Sequence, residues 1–179
     1  MIQTGRDMNR SPHKRLKELT VLLAEMKRLH EGLLSAARRK SEAMRRADTQ
    51  AMEQAGREER TLADRIKDQE GLRKVLMERI GERMGFSAPQ ARKMSISELA
   101  RSVAEPIRTQ LTVLGAELRK LASEIARLNR IAALVSQEMV RHFRAVYEAM
   151  TQQSQTGEFY GRTGRPQSGV SAAVIDTTG

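Results

Sequence analysis

The chain has 179 residues and a formal net charge of +10, with no Cys, no Trp, three Phe and two Tyr. Without Cys there is no disulfide and no thiolate metal site, and a composition dominated by Arg, Glu, Ala and Leu is that of long helices that bury a stripe rather than a thick core. Ile131 to Val135, the longest apolar run worth noting, is far short of a membrane span, and residues 1–13 are polar, without the apolar stretch of a secretory leader, so the expectation is a cytoplasmic protein with no membrane insertion.

The charge is placed unevenly. Residues 1–46 hold 12 Lys/Arg against 5 Asp/Glu, residues 47–84 hold 8 against 9, and residues 85–179 hold 12 against 8. A basic first segment fits nucleic acid or an ordinary solvated helix face. Within Arg28–Arg46 the cations fall around the helix with no aromatic side chains to stack on bases, which single-strand binders usually supply. The solvated face is therefore the preferred reading.

Residues 1–11 read as a disordered lead. Ser11-Pro12 then predicts a helix start, with Ser at the cap and Pro at the first helical position. A first helix over about 12–46 follows from apolar residues spaced by three and four: Leu16, Leu19, Leu23, Met26, Leu33, Ala37, Met44, then Ala47 and Ala51. His30 and Lys40 interrupt this seam, and His30 reads as a partly exposed seam residue rather than a ligand. Asp48 or Thr49 offers a cap for a second helix over about 49–84, although no Pro or Gly enforces a break. The second seam resumes at Leu62, Ile66, Leu72, Leu76 and Ile80, and Gly81, Gly85 and Pro89 mark its stop.

A third helix is expected over about 95–154. Ser95-Ile96-Ser97-Glu98 matches a capping box, and Pro106 should kink or restart the helix. The most regular repeat in the chain follows: Ile107, Leu111, Leu114, Leu118, Leu121, Ile125, Leu128, Ala132, Val135, Met139, His142 and Val146. Toward its end Phe143 and Tyr147 flank the seam, so Val135, Met139, His142, Phe143, Val146, Tyr147 and Met150 form a broad apolar face. Such a face either caps the chain's own bundle or receives a helix of a second protein, and its Met residues adapt to varied partners. From Thr151 the chain turns polar, and residues 155–179 read as a flexible tail rich in Gly, Ser and Thr. The expected fold is all-α: an elongated antiparallel helical bundle or coiled coil of two to three long helices spanning 12–154. Whether the seams pack within one chain or in a homo-oligomer is open.

Nothing in the sequence predicts catalysis. His13, His30 and His142 fall in no metal-ligand spacing, no Gly-rich phosphate loop joins a strand to a helix, and carboxylates such as Glu58-Glu59 lie on predicted solvent faces. The expectation is no catalytic residue, no metal and no cofactor. In the tail, Phe159-Tyr160-Gly161-Arg162-Thr163-Gly164 sets an apolar pair in a polar segment. Tyr160 either packs locally or belongs to a short linear motif, a role suited to a large side chain with a polar tip and little entropy to lose.

Taken in order, the Leu-seam helices, Leu128-Asn129 inside the last helix, and Tyr160-Gly161 with Gly164 about thirty residues later resemble the FlgN family of flagellar type III export chaperones. Where that family commonly shows a second Asn, this chain has Ala132. The resemblance implies a chaperone that binds the hook-filament junction proteins FlgK and FlgL, prevents their premature assembly and delivers them to the export gate. It implies cargo binding by the end of the last helix and the tail, and docking of Tyr160, with Gly161 and Gly164, to the cytoplasmic domain of the gate protein FlhA. The rival readings are a structural coiled-coil scaffold and a basic nucleic-acid-binding bundle.

Overall fold

The computed structural model describes residues 12–155, 158–160 and 166–168; the expected lead at 1–11 and most of the expected tail lie outside them. Five helices account for nearly all of this: α1 Pro12–Arg45, α2 Thr49–Arg83, α3 Ala88–Lys93, α4 Ile96–Arg101 and α5 Ile107–Gln155. Two three-residue strands, β1 Glu158–Tyr160 and β2 Pro166–Ser168, pair antiparallel with Tyr160 opposite Pro166. The chain divides into two units, Met1–Ala132 and Ala133–Gly179.

In the first unit, α1 and α2 are separate helices. Ala47, at φ 53°, turns the chain, and the Asp48 side chain accepts the Ala51 N–H at 2.9 Å as the α2 cap. The helices run antiparallel, since Gly32 faces Leu62 while Arg39 pairs with Glu58 further along α1 and earlier in α2. α5 runs parallel to α1, because Lys27 pairs with Glu117 at 2.9 Å and Arg38 with Glu124 at 2.5 Å. Between these three, Leu16, Leu19, Leu23 and Met26 of α1 meet Met77 and Ile80 of α2, Leu99 and Ala100 of α4, Val103, and Ile107 and Leu111 of α5. Leu19, Leu23, Ile80, Leu99 and Leu111 are fully enclosed, each worth about 1.5–3 kcal/mol relative to exposure. Nearer the α1–α2 turn the core side chains shrink to Ala36, Ala37, Ala43 and Ala55.

Several sequence expectations shift. Leu29 and Leu34 are buried on α1, whereas Ala47 lies in the turn and is exposed. Leu72 is exposed and Met77 buried, because the inward face of α2 runs through Arg73, Leu76, Met77 and Ile80. His30 is half-buried, and its Nδ1–H donates to the Met26 carbonyl at 2.7 Å; a carbonyl only accepts, so the proton sits on Nδ1. The expected single helix over 95–154 is two helices. The Ser95 box closes α4, with the Ser95 N–H donating to the Glu98 carboxylate at 2.7 Å and the Glu98 N–H donating to the Ser95 hydroxyl at 3.2 Å. Arg101 ends α4, and α5 restarts directly after Pro106, which as a proline cannot continue a preceding helix. The stretch between the second and third expected helices contains α3, capped by a second box in which the Ser87 N–H donates to the Gln90 side chain.

Candidate functional site

The second unit opens with the C-terminal part of α5. Its seam keeps the spacing of the first unit, where Ile107, Leu111 and Ile125 are buried, but every residue from 133 to 150 is exposed. All seven residues expected to form a broad apolar face are therefore on the surface: Val135, Met139, His142, Phe143, Val146, Tyr147 and Met150. Phe143 is 64% and Tyr147 69% exposed. These are side chains that folded proteins ordinarily keep from water, and an apolar face of this extent marks an interaction surface.

Helical geometry brings the seven together. At about 100° per residue they cover roughly 140° of the helix circumference, while Gln137, Glu138, Arg141, Arg144 and Glu148 occupy the opposite side. Glu138 and Arg141 are tied to each other at 3.2 Å along that polar side. The His142 and Phe143 rings sit 6.4 Å apart, tilted by 57°. Sequence reasoning missed Ile131 and Val140, both exposed. Val140, Phe143 and Tyr147 form a second stripe at spacings of three and four beside the main seam, and with Arg144 and Glu148 they line a shallow groove of about 310 Å³. The signal was present in that spacing, but it was masked by the stronger Leu repeat. Leu134, also exposed, falls on the polar side.

Tyr160 is the last residue of β1, opposite Pro166 of β2. Gly161 and Gly164, the other two residues of the expected docking motif, lie outside the described residues. The structure therefore places the start of that motif at a strand end.

The basic excess of α1 is largely engaged in ion pairs. Lys27 pairs with Glu117, Arg38 with Glu124, Arg39 with Glu58 and Lys40 with Glu59, all between helices, while Arg45 and Arg46 share Glu42. The hydrogen bond to Glu117 holds the Lys27 ammonium above its usual range, and the Arg38 guanidinium holds the Glu124 carboxyl below its own. Lys27, Arg38, Arg39 and Lys40 thus join helices, which fits the solvated-face reading of the segment better than a phosphate-binding one.

Among the described residues no cluster of His, Cys, Asp or Glu is arranged to hold a metal ion, and no helix is long and apolar enough to cross a membrane. The site is a surface that can hold an apolar partner helix. No curated protein and no solved structure matches the chain. A family model described as FlgN protein matches residues 8–168.

Proposed function

The chain belongs to the FlgN family, whose role is that of a flagellar export chaperone, and on that footing we propose that the C-terminal part of α5 captures the cargo while the tail docks the export gate. The cargo is a hook-filament junction protein of the FlgK or FlgL type, held in the cytoplasm before export. Its assembly helix lies along Val135, Met139, His142, Phe143, Val146, Tyr147 and Met150, a helix-in-groove arrangement. Covering that helix hides the surface through which cargo subunits would join each other too early. Capture is stoichiometric and needs no nucleotide, metal or other cofactor. Tyr160, with Gly161 and Gly164, engages the cytoplasmic domain of FlhA, so that cargo and gate are held by different parts of one chaperone.

The observation that carries this reading is the continuity of the seam. Its spacing is unchanged from Ile107 to Val146, yet from Val135 onward it is exposed, and an apolar stripe collects its burial energy only when another surface covers it. Pull-downs with cargo and with the FlhA cytoplasmic domain test the division of labour. Val146→Asp with Phe143→Asp should abolish cargo capture and spare gate binding. Tyr160→Ala should do the reverse. Equal loss of both partners in either variant would sink the proposal.

A further inference from the structure

A second surface lies in the first unit, on residues other than those assigned above. α3, α4 and the turn before α3 border an open groove of about 640 Å³, lined by Phe86, Pro89, Met94, Lys93, Glu98 and Arg101 among others. Its position is set by local backbone geometry. Gly85, at φ 87°, ends α2, the Gly85 N–H donates to the Glu82 carbonyl and the Phe86 N–H reaches back to the Gly81 carbonyl, both at 3.1 Å. This is the glycine-ended helix cap in which the second residue beyond the helix packs on the residue that accepts the longer bond. Here that residue is Gly81, which offers no side chain, and Phe86 remains half-buried beside the groove.

Two features give the groove a chemistry. The core cluster of the first unit contains no aromatic residue. Phe86, Phe143 and Tyr147 all stay outside the buried set, and aromatic side chains at a surface are enriched where proteins bind one another. Phe143 and Tyr147 belong to the cargo face, whereas Phe86 has no part in it. The rim charges are also unequal in availability. Lys93 and Arg101 are exposed and form no ion pair within 4 Å among the described residues, although Arg101 Nε donates to the Ser97 carbonyl at 3.4 Å and the Arg101 charge acts on the Glu98 carboxyl one turn earlier. Glu98 is already engaged, accepting from the Ser95 N–H at 2.7 Å and the Ser95 hydroxyl at 2.8 Å. The groove thus presents an apolar floor between two available cations.

We propose that this groove is a second docking site, for an acidic segment of a partner protein in which an aromatic or large aliphatic residue is flanked by carboxylates. The apolar residue sits against Phe86, Pro89 and Met94, and the flanking carboxylates meet Lys93 and Arg101, the latter able to take one in a two-pronged hydrogen bond. The site is independent of the cargo face and would stand if the cargo assignment fell.

Phage-displayed twelve-residue peptides selected on the full chain, with subtraction on the Lys93→Glu, Arg101→Glu double variant, test it. Both side chains are exposed, and because Arg101→Glu sets a second carboxylate one turn from Glu98, circular dichroism and melting temperature check the fold, with Lys93→Gln, Arg101→Gln as the charge-neutral variant that should give the same loss of binding. Peptides that survive subtraction should carry Asp or Glu around an aromatic or aliphatic residue. They should bind the variant at least tenfold more weakly, weaken on Phe86→Ala, and lose affinity as salt rises. A surviving pool without acidic enrichment, or acidic peptides that bind parent and variant alike, overturns the proposal. So does an empty pool from a protein that sediments as a dimer through Phe86, which would assign the groove to a second copy of the chain.

Discussion

Gly81 of α2 and Ala91 of α3 approach so closely that a Cβ on Gly81 would lie 2.7 Å from the Ala91 Cβ and 3.1 Å from its Cα. Both residues are buried. Gly81 does not stop the helix; it lets α3 press against α2, and so positions the Phe86 groove. Gly81→Ala should push α3 outward and cost about 1–3 kcal/mol in urea denaturation, as overpacking does. Gly71 makes the contrast, since nothing lies within 4 Å of its would-be Cβ. Gly71→Ala should raise stability by about 0.5–1 kcal/mol through helix propensity alone.

Leu111 and Val113 lie two residues apart on α5 and separate the seam from the surface. Leu111 is fully buried in the core and Val113 is 50% exposed. Leu111→Ala should cost about 2–5 kcal/mol through lost burial and a residual cavity. Val113→Ala should stay within about 0.5 kcal/mol. Similar losses at the two positions would mean that the seam is misplaced.

Acid should weaken the packing of α4 and α5. The Ser95 backbone N–H and hydroxyl hold the Glu98 carboxyl below its ordinary value of 4.5, and Arg38 does the same for Glu124. In the core-facing part of α2, the Arg73 guanidinium holds Glu70 below it as well. A depressed carboxyl contributes stability that is complete above the ordinary value and lost as pH falls through the folded one. Melting temperature should therefore decline as pH drops below 4.5, and Glu98→Gln with Glu124→Gln should shallow that decline. Lys27 has the opposite sign. Glu117 raises it from 10.5, so its contribution holds below that value and fades as pH climbs beyond it. Melting curves from pH 3 to 11 on parent and variants would read both edges.

On the cargo face, stability and binding should part company. Phe143 and Tyr147 are among the most exposed apolar residues of the chain, so Phe143→Ala and Tyr147→Ala should leave the melting temperature almost unmoved. If they anchor a partner helix, each should cost at least about 2 kcal/mol of cargo affinity, the scale of an aromatic hot spot. Isothermal titration with purified cargo, set beside thermal melts, would separate the two effects. A variant that loses both together would place the residue in the fold instead of the interface.

Much of the helical plan was legible because it is local. Pro12, the Asp48 cap, the Ser95–Glu98 box and the restart after Pro106 act within one turn of the residues they organise, and the structure honours each. The candidate face was legible too, as a widening of the stripe at Phe143 and Tyr147. What escaped was α3, six residues too short for a hydrophobic period to register, and the groove beside it, whose lining comes from the α2–α3 turn and two different helices.

By itself the sequence determined where α1, α2, α4 and α5 start, and that one apolar seam runs unbroken from Ile107 to Val146. It did not determine which half of that seam is core. Ile107 and Leu111 are buried because α1, α2 and α4 supply partners opposite them, while Val135, Met139 and Val146 repeat the same spacing and remain exposed. Periodicity belongs to one helix, but burial belongs to a pair of surfaces, and only the tertiary structure says where the second surface is missing. The same holds for Gly81, which reads as a helix stop along the chain and becomes a point of close approach once Ala91 is set against it.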